Sequence, residues 1–183
     1  LLVIYGDTSA DRSHSGSAGA DTIDASASAV RGVYSGGPGA DTILGGSADD
    51  RIAGGSGGDV LGGGGGDDLL LGDSGFSTDR LTRVTTVFTA GLPSGGMDNL
   101  DQVGDDTINP GDGRDVVFGD HGEVTLVGGA ANVLAEFGEV SVARTVNAAL
   151  GGNDTISARA ATHAAFVAAG WPEFAGGGDF IFG

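Results

Sequence analysis

Aspartate is the residue of this chain whose type and placing could do chemistry. Four nine-residue units run without a gap: Gly36-Gly37-Pro38-Gly39-Ala40-Asp41-Thr42-Ile43-Leu44, then Gly45 to Ala53, Gly54 to Gly62 and Gly63 to Leu71. In each, Asp holds the sixth place (Asp41, Asp50, Asp59, Asp68) and an aliphatic residue the eighth (Ile43, Ile52, Leu61, Leu70). The phase returns at Asp21 with Ile23, Asp106 with Ile108, Asp115 with Val117, Asp154 with Ile156 and Asp179 with Ile181. Carboxylates at a fixed interval among glycines put hard oxygen donors beside open backbone carbonyls, a set suited to a hard cation.

The elements that must position them follow from the spacing. Residues two apart in a strand share a face, so each Asp and the aliphatic residue after it point the same way, and the aliphatic goes inward. Closely spaced glycines allow left-handed turns and let carbonyls crowd where a Cβ would obstruct. A strand plus a turn every nine residues makes coils of two strands, wound as an all-β parallel β-roll or β-solenoid. The expected core is a thin ladder of aliphatic residues.

Stacking then places Asp over Asp, and like charges that close repel or raise one another's pKa. The chain has no Lys and eight Arg, mostly outside the turns, against 21 Asp and four Glu, so a divalent cation is the natural partner. Oxygen-only ligands and abundant carbonyls favour Ca²⁺ over zinc, copper or Mg²⁺. The candidate ligands are Asp21, Asp41, Asp50, Asp59, Asp68, Asp106, Asp115, Asp154 and Asp179, with the turn glycines Gly37, Gly39, Gly46, Gly55, Gly57, Gly64, Gly66, Gly111 and Gly113. Pairing turns two apart in the unbroken run suggests about three shared ions at minimum.

The pattern Gly-Gly-x-Gly-x-Asp-x-aliphatic-x, clearest at Gly36 to Leu44 and Gly63 to Leu71, resembles the RTX nonapeptide of hemolysin-type calcium-binding proteins. The resemblance covers about half the chain. It implies a parallel β-roll, several calcium ions held between turns stacked two repeats apart, and export by a type I secretion system. It also implies an extracellular or bacterial cell-surface location.

The pattern breaks regularly. Ile4-Tyr5-Gly6-Asp7, Leu70-Leu71-Gly72-Asp73 and Val117-Phe118-Gly119-Asp120 each open an insert that closes at a new unit, and Phe180-Ile181-Phe182-Gly183 looks like a fourth opening. This divides the chain into a partial roll with insert (1–35), a regular calcium-binding roll (36–72), an insert (73–104), a short roll (105–120), a second insert (121–152) and a broken roll with a helical insert (153–183). Asp7, Asp73 and Asp120 stand where the repeat has Gly, which leaves two readings open: additional calcium ligands, or turn aspartates capping their own backbone. Asp73 and Asp120 are kept among the candidate ligands. The two long inserts look alike, Gly72 to Phe76 paralleling Gly119 to Glu123, and Leu81 to Val84 paralleling Val142 to Val146. Alternation predicts extra strands at Glu123–Val127 and Glu139–Val142, extending the solenoid or pairing along its edge. Alanine richness predicts a helix at 158–169. Trp171, Phe166 and Phe174 form an aromatic cluster, read as burial against the roll end, with a sugar- or partner-binding patch as the alternative.

Catalytic readings are weak. Gly72-Asp73-Ser74-Gly75 is superficially similar to the nucleophile segment of trypsin-like serine proteases, but it lacks the Gly that follows there and sits in the repeat register. His14, His121 and His163 lie far apart in no zinc-protease spacing and read as solvent-exposed loop residues. The pairs Asp49-Asp50, Asp67-Asp68 and Asp105-Asp106 alternate across a strand, so the second of each pair is read as the ligand and the first as solvent-facing.

Composition excludes the rest. A formal charge of −17 leaves no basic face for nucleic acid. With no Cys there are neither disulfides nor thiolate metal sites, and the run Ala164–Trp171 is too short to span a bilayer. The chain opens at Leu1 and stops inside a unit, so it reads as a segment of a longer protein. The expected function is a non-enzymatic calcium-binding module of a large secreted, surface or matrix protein, folding on calcium and structural or adhesive. Its partners are calcium and copies of itself or neighbouring repeats in a filament, surface layer or matrix. The alternative is the non-catalytic portion of a secreted protease or lipase.

Overall fold

The computed structural model describes residues 1–7, 18–89, 98–135, 139–156 and 179–183, and these form strands and turns with no helix. Eleven of the strands make two parallel sheets. The first stacks β1 (Leu2–Tyr5), β3 (Gly32–Pro38), β5 (Arg51–Ser56), β7 (Leu69–Leu71), β11 (Val116–Phe118) and β16 (Phe180–Phe182). The second stacks β2 (Thr22–Asp24), β4 (Thr42–Leu44), β6 (Val60–Gly65), β10 (Thr107–Asp112) and β15 (Thr155–Ile156). The chain alternates between them, and this is the β-roll that the nine-residue period predicts.

Register follows the period. Ile43 pairs with Leu61 and Ile52 with Leu70, each one coil apart. Across the long inserts the same positions still align: Leu61 with Ile108, Leu70 with Val117 and Ile108 with Ile156. Between the sheets lies the ladder of Ile23, Ile43, Leu61 and Ile108 facing Tyr34, Ile52, Leu70 and Val117, all buried. Each such side chain contributes about 1.5–3 kcal/mol of transfer free energy. Tyr34 marks a unit that the Asp spacing does not reveal, because Gly32 holds its sixth place. A Cβ on Gly32 would collide with the Tyr34 ring, so the aromatic core residue requires glycine there.

The ladder is not the whole core, contrary to expectation. The opposite face of the first sheet carries Val33, Ala53, Leu69, Leu71, Val116 and Phe118, and the inserts cover it with Phe76, Val87, Val124 and Leu134. Phe118 stacks on Phe182 with ring centroids 4.8 Å apart. In the first long insert β8 (Gly75–Thr78) and β9 (Thr85–Phe88) form a hairpin. The second provides β12 (Gly122–Leu126), β13 (Val133–Leu134) and β14 (Val140–Thr145). β13 joins β9, so the two inserts share one sheet. The strands predicted near Glu123 and Glu139 are present as β12 and β14, but they pair antiparallel with each other instead of along the solenoid edge. The second half of the insert likeness also fails: Leu81 is an exposed turn residue, whereas Val142 to Thr145 lie in β14. The predicted helix at 158–169 and the Phe166, Trp171 and Phe174 cluster fall outside the described residues.

Arg51 ties the layers together. It is buried, and its Nη1 donates to the Leu134 carbonyl at 2.9 Å. Phe76, fully buried in the outer core, gives a direct test of that layer. Phe76→Ala is expected to lower the stability of the folded chain by about 3–5 kcal/mol in urea unfolding. A loss below about 1 kcal/mol, the scale of an ordinary surface change, would mean the inserts do not pack as a core.

Candidate metal centre

The sixth-place aspartates form two columns, one along each edge of the roll. On one edge Asp21, Asp41, Asp59, Asp106 and Asp154 follow one another, and on the other Asp50, Asp68, Asp115 and Asp179. A single hydrogen bond repeats along both. The backbone NH of each residue donates to Oδ1 of the Asp one coil further on: Asp21 to Asp41 at 2.7 Å, Asp41 to Asp59 at 2.8 Å and Asp59 to Asp106 at 2.7 Å. Asp106 donates to Asp154 at 3.0 Å. The other edge repeats it from Asp50 to Asp68 at 2.7 Å, Asp68 to Asp115 at 2.8 Å and Asp115 to Asp179 at 3.3 Å. Separations of 18, 47, 48 and 64 residues all serve the same bond, so the inserts leave the columns unbroken.

The second oxygen is the chemically open one. Oδ2 of Asp21, Asp41, Asp59, Asp68, Asp106 and Asp115 is buried without a hydrogen-bond partner, while Asp50 Oδ2 accepts from Gly46 NH at 2.7 Å. A Cβ built on the first glycine of a turn shows what surrounds these atoms. At Gly36 it would strike Asp41 Oδ2 and the Gly54 carbonyl, and at Gly54 it would strike Asp59 Oδ2 and the Gly72 carbonyl. At Gly63 and Gly72 it would strike Asp68 Oδ2 with the Pro110 carbonyl, and Asp106 Oδ2 with the Gly119 carbonyl. Each cradle therefore holds one orphaned carboxylate oxygen and a carbonyl from the next coil.

The predicted turn glycines crowd the same gaps. Gly37, Gly39, Gly55, Gly57, Gly64, Gly66, Gly111 and Gly113 all have φ between +102° and +149°, the left-handed range. Gly46 is not among the positive-φ residues. The carbonyls of Gly37, Gly39, Gly46, Gly64 and Gly66 press directly against the matching glycine one coil on.

Burial pushes the column carboxyls up, and neighbouring carboxyls add to it: Asp41 to about 6, Asp115 to about 7, Asp106 to about 8, Asp59 and Asp68 to about 9. The ion pairs found among the described residues lie elsewhere, Arg31 with Asp49, Arg114 with Asp67 and Arg144 with Glu123. The fifth-place Asp67 is held below the usual carboxylate range by its Arg114 hydrogen bond. Among the described residues no three His, Asp or Glu side chains converge, so the donors at each gap are carboxylate plus carbonyl. Such all-oxygen, irregular surroundings fit Ca²⁺ better than the octahedral demand of Mg²⁺ or the nitrogen and sulfur preference of zinc.

A family model described as the RTX calcium-binding nonapeptide repeat matches residues 15–29, 35–70, 44–78 and 103–132. The chain belongs to the RTX calcium-binding nonapeptide-repeat family. Comparison with curated proteins and with solved structures gives no match. RTX nonapeptide repeats bind calcium, and the atoms crowded at each turn of this β-roll are a carboxylate oxygen and a carbonyl.

The Gly-Asp exits of this RTX roll have a common geometry. Asp7 accepts from Gly19 NH at 3.0 Å, Asp73 from Gly104 NH at 2.8 Å and Asp120 from Gly152 NH at 2.6 Å. Each partner stands two places before the column Asp at which the roll resumes, so one carboxylate oxygen closes the turn across the insert. That oxygen caps the NH at which the chain re-enters the roll, not the backbone of its own turn. In Asp73 the other, Oδ2, is buried without a partner, and burial, followed by the charge of Asp106, pushes this carboxyl up to about 9.

His121 corrects the sequence reading. It is fully buried, with Nε2 2.9 Å from the Leu100 carbonyl, because it sits where the two inserts meet rather than on a loop surface. Burial lowers its pKa. His14 and His163 lie outside the described residues. Ser74 of the protease-like tetrapeptide is buried and cannot meet a substrate. The aspartate that the repeat spacing does not reveal is Asp98, buried in the first long insert with Oδ1 unpartnered.

The cradle can be tested by filling it. Gly54→Ala is expected to raise the calcium concentration at the folding midpoint about tenfold or more, since its Cβ would collide with Asp59 Oδ2. Gly65→Ala is the control, its Cβ meeting only ordinary contacts at 3.9 and 4.0 Å. Equal midpoints for the two variants would show that the gap at Gly54 holds no ion.

Proposed function

We propose that this β-roll is a calcium-operated structural module of a protein exported to the cell exterior, where it folds on meeting calcium and serves a structural or adhesive role. The observation that carries the reading is the series of buried, unpartnered Asp Oδ2 atoms set against carbonyls of the next coil. The ligands proposed are the column aspartates with the turn carbonyls, joined by Asp73 and Asp120 at the exits. Inside a cell, at very low free calcium, the mutual repulsion of the columns keeps the chain open and exportable. Outside, binding energy becomes folding energy, and one filled gap orders the next. The inserts make each loaded roll a thicker, two-core body suited to bearing contacts with neighbours. Among the described residues no helix is long and apolar enough to cross a membrane. The test is a calcium titration of the 183-residue chain by far-UV circular dichroism, with magnesium as the control.

A further inference from the structure

Asp98 belongs to no nine-residue unit. It lies in the insert between β9 and β10, yet its side chain is only 2% exposed. Ser56 donates to its carboxylate from both the hydroxyl and the backbone NH. Its Oδ1 nevertheless has no partner. A buried acceptor left unpaired is costly, more so when charged, and Ser56 has no further donor to offer.

The surroundings of Asp98 are those of a roll turn. Ser56 ends β5 inside the turn Gly54 to Asp59, and the insert docks on that turn through Gly57 NH, which donates to the Gln102 carbonyl at 3.2 Å, and through a bridge between Gly57 and Val103. The insert here takes the place that the next regular turn would occupy. Ser56 itself faces the preceding coil, its carbonyl accepting from Gly39 NH at 2.9 Å, and on that side of the turn lies the cradle of Gly36, holding Asp41 Oδ2, buried and unpartnered, against the Gly54 carbonyl. The Asp98 charge is felt at Asp41, and that of Asp7 at Asp98.

We propose that Asp98 is a calcium ligand, supplied by the first long insert to the gap between the turns Gly36–Asp41 and Gly54–Asp59. The inference rests on the reading of the turns as calcium sites and adds a carboxylate from outside the repeat. Two carboxylates make this gap tighter than a gap with one, since affinity rises with ligand charge. The insert is then held to the roll by the ion. Because the same insert carries β8 and β9, calcium at this gap also orders the outer core.

The experiment compares Asp98→Asn with wild type by isothermal calcium titration and by amide hydrogen exchange at residues 98–104. The amide is isosteric and still accepts from Ser56. Both chains are expected to show the coil-to-β transition, but in the variant one tight site weakens about tenfold or more and the insert amides exchange correspondingly faster at equal calcium. Identical isotherms and protection overturn the assignment of Asp98 while leaving the roll sites standing. A wild type that takes up no calcium overturns both. Calcium-grown crystals of the wild type decide the matter however the variant folds: an ion about 2.3–2.6 Å from Oδ1 of Asp98 supports the assignment, and its absence there overturns it.

Discussion

In calcium-free buffer at pH 7.5 the chain is expected to give the circular dichroism spectrum of a disordered polypeptide, and millimolar calcium is expected to convert it cooperatively to β structure. Magnesium at the same concentration should not. The reason is the cost of the columns. Protonating an ordinary aspartate, of pKa near 3.9, costs about 5 kcal/mol at pH 7.5. In the metal-free roll Asp59, Asp68 and Asp73 must each take a proton, because burial pushes their carboxyls up to about 9. Asp106, at about 8, must largely do the same. A few such groups exceed the roughly 5–15 kcal/mol by which domains are stable. A divalent ion removes the cost by accepting the charged form as ligand. Stable β structure at neutral pH after thorough chelation would sink the folding switch.

Lowering the pH without calcium is expected to restore part of the roll. The column carboxyls have folded-state pKa values raised to between about 6 and about 9, above the value of about 3.9 in an unfolded chain. Their contribution to stability is therefore complete below about pH 4 and is lost as the pH rises through 6 to 9. At pH 5 each proton costs only about 1.5 kcal/mol, against about 5 at pH 7.5. The exposed pairs Arg31–Asp49 and Arg114–Asp67 weaken in acid, but pairs of that kind contribute at most about 1 kcal/mol. Calcium reverses the slope, since the ligands must lose their protons to bind it. The check is β signal against pH with and without calcium: metal-free signal should be larger at pH 5 than at pH 8, and the calcium midpoint should fall as pH rises. Metal-free chains less structured at pH 5 than at pH 8 would contradict the buried columns.

The nine-residue period alone determined the coil. Side-chain parity in a strand decides that Ile43, Leu61 and Ile108 face inward while Asp41, Asp59 and Asp106 mark the turns, and glycine at Gly37 or Gly55 is demanded by local sterics. All of this is encoded within one or two units. The unit of Tyr34 escaped because its Asp is replaced by Gly32, a choice made by the ring of Tyr34 itself and visible only once the ring is placed. The alternation at Val124 and Val140 made strands legible but not their partners, since period two says which face is apolar and nothing about what covers it. Only the tertiary structure brought β13 of one insert onto β9 of the other, buried His121 between them and set Asp98 beside Ser56. Those contacts join segments that share no register, and they form because the outer face of the first sheet, with Leu71 and Phe118, is apolar and must be covered.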